Sequence, residues 1–565
     1  MPDPQPPAPG AAPPPQAAAA PAGPALPPCG PDEVALLIDG RPVVVKKGTN
    51  VLQAAAGLGV EVPHYCYHPG LSVAGNCRMC LVEIEKTPKL QIACNTRATE
   101  GMVVQTESAK AKQAHRTTLE FLLVNHPIDC PVCDQAGECY LQDQYMTVGL
   151  HDSKVEPEEK VQKRKVVDLG PIMLDAERCV LCSRCLRFES HVTGTNSFEF
   201  RNRGDHTQIA TFEDRPITHN YAWNLADVCP VGALLSHDFR FKMRVWFLES
   251  SDSVCPGCST GCNIHVDSRD QEVHRLRPRR NVEVNKSWMC DIGRVEYKEI
   301  ALDTRVSAAR VRRASAWEET SVATALDLVA EKILAAPRAS AFLATPQATN
   351  EDVFMFKRLS ERAGGLLDFR VGNPQERTQV REDNVLLRAD RNPNTTGCLD
   401  QGVGVSGVDA ILKACASGSI KVLVLQGADL LKDAGVAAAV AKVPFVAVMA
   451  SHEHAELASA HCVLPAAVWA EVDGTFTNYQ RRVQRIKRAV APPGAAVPRW
   501  ELAAGLLSRL GESLSLSSAR EVFALIARDV KVYSGLDHRL VGATGRAVGS
   551  PGSGPAGPTS EEARA

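Results

Sequence analysis

Cysteine dominates the chemistry this sequence can do. Fifteen of its nineteen cysteines lie between residues 66 and 290, in four groups. Cys66, Cys77, Cys80 and Cys94 form the first. Cys130, Cys133 and Cys139 form the second, with His126 just upstream. Cys179, Cys182, Cys185 and the later Cys229 form the third, and Cys255, Cys258, Cys262 and Cys290 the fourth. Each group offers four soft or borderline donors, the number that holds one iron–sulfur cluster. No export signal is recognisable at the start, so the cytoplasm is the expected home. There thiols stay reduced, and spaced cysteines point to metal or catalysis rather than disulfides. Four clusters in succession read as a path for electrons.

The spacings separate the groups. The first, C-x10-C-x2-C-x13-C with Gly75 beside it, suits a 2Fe–2S centre. Glycine lets the backbone turn closely around a cluster whose sulfurs accept main-chain hydrogen bonds. The long first gap makes it a variant of the plant-type C-x4-C-x2-C run. A zinc ribbon is the alternative, but ribbons usually carry two C-x2-C pairs and this group has one. In the second group three thiols are one short of a set, and His126 is the nearest neutral nitrogen donor. In the third, C-x2-C-x2-C lets a tight loop present three thiolates to one cubane. Cys229-Pro230, 44 residues after Cys185, supplies the Cys-Pro that closes a ferredoxin set. One triplet means one 4Fe–4S cluster. The fourth group reads C-x2-C-x3-C-x27-C.

The elements that must position these loops begin at Val34. Ala35-Leu36-Leu37-Ile38 and Val43-Val44-Val45 flank Asp39-Gly40, a hairpin signal. Asn50 is placed to cap a helix through Val51–Ala56, with Gly57 and Gly59 ending it. A hairpin followed by a helix is how a β-grasp ferredoxin begins. Residues 108 to 125 read as helical, with Leu119, Leu122 and Leu123 on one side.

The stretch from His126 to Asp143, HPIDCPVCDQAGECYLQD, resembles the one-histidine, three-cysteine motif of the large iron–sulfur subunits of respiratory complex I. [FeFe] hydrogenases and NAD-linked formate dehydrogenases share this module. The resemblance implies that His126, Cys130, Cys133 and Cys139 hold a 4Fe–4S cluster. Gln135-Ala136 stands where a Lys-Gly or Gly-Gly pair is expected, a departure that leaves every ligand position intact. The single triplet with a distant Cys-Pro is similar to the complex I subunit, whereas the related hydrogenases and formate dehydrogenases resemble two-cluster ferredoxins here. The fourth group is similar to the 4Fe–4S domain that opens molybdopterin oxidoreductases. All four of its ligands are present, so a third 4Fe–4S cluster is expected.

After Glu299 the composition shifts to Ala, Val and Leu. Ala341–Ala344 reads as a strand before a helix around 350 to 364. Lys421–Leu425 and Phe445–Met449 read as buried parallel strands with a helical Ala/Val run between them. Val463–Ala466 and Gly474–Asn478 also resemble molybdopterin enzymes and the C-terminal region of the complex I subunit. The expected fold is α+β and multidomain. A Pro/Ala-rich disordered tail covers 1–32, a 2Fe–2S ferredoxin domain 33–112 and a one-His/three-Cys domain 113–152. A ferredoxin-like 4Fe–4S domain follows over 153–247, and a molybdopterin-type 4Fe–4S domain over 248–303. A shortened molybdopterin-oxidoreductase-like α/β domain occupies 304–540, read as a non-catalytic remnant without molybdopterin, and a disordered tail 541–565.

By this resemblance the chain relays electrons in NADH-quinone oxidoreductase and does not itself bind NADH or quinone. Its implied partners are the flavin-bearing NADH subunit, a two-cluster ferredoxin-like subunit and the quinone-site subunits. It would lie on the cytoplasmic face of the inner membrane, held only through those partners. The alternatives are an iron–sulfur/molybdopterin subunit of an NAD-linked formate dehydrogenase, and a colourless zinc-structured scaffold. Sixty-three basic against sixty-five acidic side chains give a net charge of −2, which offers no case for nucleic acid. No apolar run approaches the ~18 residues of a transmembrane helix. The basic run Arg275–Arg280 reads as a solvated turn or subunit contact. Gly402–Gly407 matches G-x-G-x-x-G, but a polar, turn-like stretch precedes it where a nucleotide fingerprint needs a strand. His452-Glu453-His454 reads as a surface turn. Cys398, Cys415 and Cys462 read as small core residues, and Cys29 needs no role.

Overall fold

The computed structural model describes residues 26–149, 155–314, 316–369, 382–404 and 407–549. The chain forms two compact units. One comprises the residues up to Tyr67 with Val73–Val124 and Gln144–Glu159. The other comprises His68–Ser72, Asn125–Asp143 and Lys160 onward.

The first unit opens with the expected hairpin, β1 (Glu33–Ile38) against β2 (Arg41–Lys46). Asp39 and Gly40 both take positive φ, 49° and 74°, as the two-residue turn that matches strand twist requires. Asn50 caps the helix Val51–Gly57, and Gln53 returns the bond in a capping box. β3 (Leu81–Ile84), β4 (Gln91–Ile92) and β5 (Val103–Gln105) complete a sheet in the order β2-β1-β5-β3-β4, with β5 parallel to β1. Val34, Leu36 and Ile38 alternate inward onto Val51, Leu52 and Ala55 of the helix. The helix Ala109–Leu123 follows, capped by Ser108. Its buried stripe is Ala111, His115 and Leu119, not the leucine cluster expected, because His115 bonds to the Leu81 carbonyl at 2.7 Å and turns that face inward. The expected N-terminal tail falls, up to residue 25, outside the described residues. Nearer the sheet, Lys47 N donates to Asp32 O at 2.8 Å and ties the chain down before residue 33.

In the second unit β6 (Val167–Asp168), β7 (Ile172–Leu174) and β10 (Leu234–Ser236) form one small sheet, and β8 (Phe198–Arg201) pairs with β9 (Gln208–Thr211). The short helices Arg184–Phe188 and Asn224–Val228 pack there. β11 (Glu249–Val254), β12 (Asn263–Arg269) and β13 (Glu272–Pro278) make an antiparallel meander. The basic run expected to be solvated belongs to β13. There Arg275 and Arg277 each meet Asp267 at 2.7 Å, and Arg275 also holds Glu138 at 2.8 Å.

The remainder is an α/β layer. β14 (Ala309–Arg313), β15 (Ala316–Thr320), β16 (Ser340–Ala344), β17 (Leu366–Phe369), β18 (Val422–Leu425), β19 (Phe445–Ala450) and β20 (Cys462–Pro465) form one sheet in the order β15-β14-β20-β19-β18-β16-β17. β16 to β20 run parallel to one another, and β20 meets β14 antiparallel. The helices Asn350–Ala363 and Ala434–Val440 stand where the sequence places them. β21 (Gly474–Thr477), β22 (Arg482–Ile486) and β23 (Arg546–Ala547) form a separate sheet. The expected tail from 541 thus begins ordered, since Arg546 pairs with Val483. Ahead of Gly402 the structure has a helix, Thr395–Asp400, instead of a polar turn, and still no strand. Val405 and Ser406 of that stretch lie outside the described residues.

Asp267 anchors the meander, its side chain 1% exposed. Burial pushes its carboxyl up, but Arg277 and Arg275 outweigh that and hold it down at about 2. The folded value lies below the unfolded one. Its contribution, on the order of 2.5 kcal/mol, is therefore present above about pH 4 and lost as pH falls toward 2. Asp267→Asn is expected to lower anaerobic unfolding stability by about 2–3 kcal/mol at neutral pH. The gap from wild type should stay constant down to about pH 5 and close below it. A gap that ignores pH would contradict the assignment.

Candidate iron–sulfur centres

The first group is assembled by the β-grasp unit. Cys66 precedes a turn, Cys77 and Cys80 bracket a tight loop into β3, and Cys94 follows β4. Gly75, at φ 61°, and Arg78, at φ 58°, let that loop double back. Three of the four thiols are buried, and Cys77 is half-buried. Their sulfurs meet in sequence. Hydrogen bonds with Cys77 and then Cys94 hold Cys66 well below the usual thiol range, and a bond with Cys94 lowers Cys80. The same contacts push Cys77 and Cys94 well up. Cys66 N also reaches Cys77 Sγ at 3.5 Å.

The second group sits on a tight turn through Cys130–Val132, closed by Cys133 N donating to Cys130 O at 3.1 Å. The Cys133 and Cys139 thiols are raised first by burial, Cys139 to about 11, and both feel the charge of Cys130. Arg244 donates to the Cys133 carbonyl at 2.7 Å. A methyl group at Gly232 would overlap the Cys133 sulfur, so only glycine fits there. His126 is half-buried. Burial lowers its ring to about 4, Asp129 raises it, and Arg178 and Lys160 lower it further, leaving a neutral imidazole at pH 7. Neutral imidazole is the form that ligates metal. The structure places Asp129, Arg178 and Lys160 around the ring. A ligand role for His126 rests on the donor set, three thiols and one nitrogen.

In the third group Cys182 and Cys185 are buried and Cys179 and Cys229 half-buried, and in the fourth all four thiols are buried. Leu181 and Ser183 take positive φ, 52° and 61°, wrapping the loop between Cys179 and Cys185. Leu181 N points at Cys179 Sγ at 3.4 Å. Burial raises Cys179 and Cys229 to about 12 and Cys185 well above its usual range, each thiol adding to the next. In the fourth group burial raises Cys290 to about 12 and Cys255 and Cys262 well up. Gly257 N and Gly293 N reach the sulfurs of Cys255 and Cys290 at 3.5 and 3.3 Å. A Cβ at Gly293 would lie 2.9 Å from Cys255 Sγ.

Side chains remote from the cysteine spacing lock these loops together. Arg178, next to Cys179, binds Asp129, next to Cys130, at 2.7 Å. Asn224 is fully buried and pairs with both main-chain groups of Met289, donating to its O at 2.7 Å and accepting from its N at 3.0 Å. Asp291 accepts from Ala222 N and Trp223 N at 2.7 and 3.1 Å. Arg294 pairs with Asp227. The segment leading to Cys229 and the segment around Cys290 are thereby one piece.

These features fit iron–sulfur binding. Buried thiols crowded against one another resist ionisation, and a bound metal core would deprotonate them. The four N–H groups aimed at sulfur suit such a core. Among the described residues no three His, Cys, Asp or Glu side chains close on a single-ion site. A pterin fits less well. In parallel sheets ligands bind where the strand order reverses, here the carboxyl ends of β16 and β18. That crevice holds Gln426, fully buried, which accepts from Thr345 N at 3.4 Å and donates to Asp352 O at 2.9 Å. Cys398, Cys415 and Cys462 are fully buried in apolar clusters, as expected.

Five family models match in order. They are a 2Fe-2S iron-sulfur cluster binding domain over residues 31–109 and an NADH-ubiquinone oxidoreductase-G iron-sulfur binding region over 115–154. A ferredoxin-like domain of NADH-quinone oxidoreductase subunit 3 covers 170–235, a molybdopterin oxidoreductase Fe4S4 domain 248–301, and molybdopterin oxidoreductase 390–509. The NADH-quinone oxidoreductase G subunit of Rickettsia conorii is 38% identical over 59% of this chain and 49% of its own length. The protein of the same name from Streptomyces coelicolor is 40% identical over 60% and 41%. The mitochondrial NADH dehydrogenase [ubiquinone] iron-sulfur protein 1 of Solanum tuberosum is 42% identical over 53% and 40%. The chain thus spans half or less of the length of these relatives.

Gly232→Ala is expected to displace the Cys133 sulfur and cost about 1–3 kcal/mol in anaerobic unfolding. Gly194→Ala, where a Cβ meets nothing within 4 Å, serves as the strained-turn control. An unchanged midpoint for Gly232→Ala would contradict the packing described.

Proposed function

We propose that this chain, a homologue of the large iron–sulfur subunits of NADH-quinone oxidoreductase, relays electrons within such a complex. The carrying observation is that each of the four cysteine groups gathers its thiols in a buried or half-buried cluster, all four matched in order by iron–sulfur domain models. Cys66, Cys77, Cys80 and Cys94 hold a 2Fe–2S cluster. His126 with Cys130, Cys133 and Cys139, then Cys179, Cys182, Cys185 and Cys229, then Cys255, Cys258, Cys262 and Cys290 hold one 4Fe–4S cluster each. Bound clusters supply one-electron acceptance and donation at potentials within roughly −700 to +450 mV.

The residues of the chain set the conditions for that chemistry. Gly293 N, Gly257 N, Leu181 N and Cys66 N donate to ligand sulfurs, which favours the more negatively charged, reduced state. Burial of the thiols excludes water and does the opposite. The third and fourth pockets are thus tuned chiefly by desolvation. In the first, Cys66 N donates to Cys77 Sγ at 3.5 Å, a bond that a ligating thiolate keeps. No acid–base group is needed. The partners proposed are a flavin-bearing NADH subunit, a two-cluster ferredoxin-like subunit and quinone-site subunits. No helix among the described residues is long and apolar enough to cross a membrane, so attachment on the cytoplasmic face of the membrane is assigned to those partners. The α/β layer, with Gln426 in its crevice, acts as scaffold.

Single-ligand variants test the assignment by potentiometric EPR. His126→Cys is expected to change the potential and lineshape of one centre alone, and Cys290→Ala to remove about four irons while the other signals persist. No change in any centre on replacing His126 would refute its ligand role.

A further inference from the structure

We propose that a cavity in the α/β half, away from every cysteine group in sequence, binds a phosphate-bearing anion of about nucleotide size. The cavity measures about 560 Å³ and is lined by Arg485, Arg488, Arg520, Arg539, Ser518 and Trp500, among others. Small-molecule sites commonly span about 300–1,000 Å³.

Three observations converge on an anion. First, four arginines from three separate stretches, the end of β22 with its following turn, the start of the helix Ala519–Asp529 and the helix His538–Val541, line one space, Arg485 also donating to His538 O at 3.4 Å. Among the described residues none of the four is in an ion pair. Arginine is the side chain suited to phosphate, through its planar fork of donors.

Second, the acidic groups nearby are largely committed elsewhere. Glu471 is held by Arg305 at 2.6 Å. Asp537 accepts from Arg539 N and Leu540 N at 2.7 Å, and the charges of Arg520 and Arg539 reach it only as a lesser influence. Glu501, raised by burial and by Asp352, also lines the cavity. Asp473 remains, accepting weakly from Arg488 N at 3.4 Å. The guanidinium groups therefore outnumber the carboxylates left to balance them.

Third, the helix Ala519–Asp529 opens on the cavity at Ser518, whose hydroxyl makes no cap bond. The positive end of its first turn lies there, with Glu521 N bonded to Ser518 O at 3.0 Å and the Glu521 carboxylate turned back onto Ser517 N at 2.6 Å. Trp500, 4% exposed, lines the same cavity, and its indole N–H has no acceptor. The apolar side, Val472, Val497 and Pro498, leaves room for an uncharged body beside the phosphate.

The test is isothermal calorimetry on the full, cluster-loaded chain with inorganic triphosphate, adenosine triphosphate and, at equal ionic strength, sulfate. The proposal predicts saturable binding of the phosphate compounds, at least tenfold tighter than sulfate. It predicts at least a tenfold loss in Arg520→Ala/Arg539→Ala, whose side chains are exposed and not needed for folding, and a similar loss in Arg488→Glu. Tighter binding of the nucleotide than of triphosphate would show that the apolar side takes part, and equal binding that phosphate alone is read. No saturable binding up to 1 mM, binding no stronger than sulfate, or binding unaffected by either variant would overturn it. Iron content and EPR of the same samples report separately on the electron-relay reading, which these variants leave intact.

Discussion

The cysteine-rich half depends on crowding thiols together out of water, where most of the third and fourth groups resist ionisation. Burial and mutual repulsion push Cys179 and Cys185 up in the third pocket and Cys255 and Cys262 in the fourth. Fifteen cysteines kept reduced and crowded are a poor core on their own terms, since each is a small hydrophobe with a weak polar group. A metal core changes the sign of that balance, because it supplies the positive charge that thiolates require. Folding and cluster assembly are then one process, as in other metal-dependent domains.

The rest of the unit serves to keep those pockets closed. Loops that carry three or four of these cysteines have little regular structure, so their positions come from bonds between loops. Arg178 ties the third loop to the second through Asp129. Asn224 treats Met289 as a strand partner would, using both amide groups on one peptide pair. Arg275 spans from Asp267 in the meander to Glu138, beside Cys139. These bonds are buried or half-buried, where each is worth more than at the surface and where losing one partner is costly.

How much of this could be read from sequence follows from range. Ligand sets within one loop are local, so C-x2-C-x2-C announced the third group, and Asp39-Gly40 with Asn50 announced the hairpin and helix. The helix 350–364 and the buried strands of the α/β layer were legible for the same reason, through their periodicity. What lay hidden is contact at long separation. Nothing near Gly232 in sequence says that it must leave space for Cys133. Asn224 and Arg178 look like ordinary polar residues until the fold sets them on other loops. The run Arg275–Arg280 reads as solvated because strand alternation and the partner Asp267 are both invisible in a charge count. The ligand role proposed for His126 rests on its motif and on the missing fourth thiol.

The most direct test of the central claim is iron, acid-labile sulfide, zinc and molybdenum measured together on anaerobically purified protein. The account predicts roughly fourteen irons per chain with matching sulfide and neither zinc nor molybdenum in stoichiometric amount. Stoichiometric zinc with little iron would make the pockets structural and contradict the relay. About one molybdenum per chain would contradict the scaffold role given to the α/β layer.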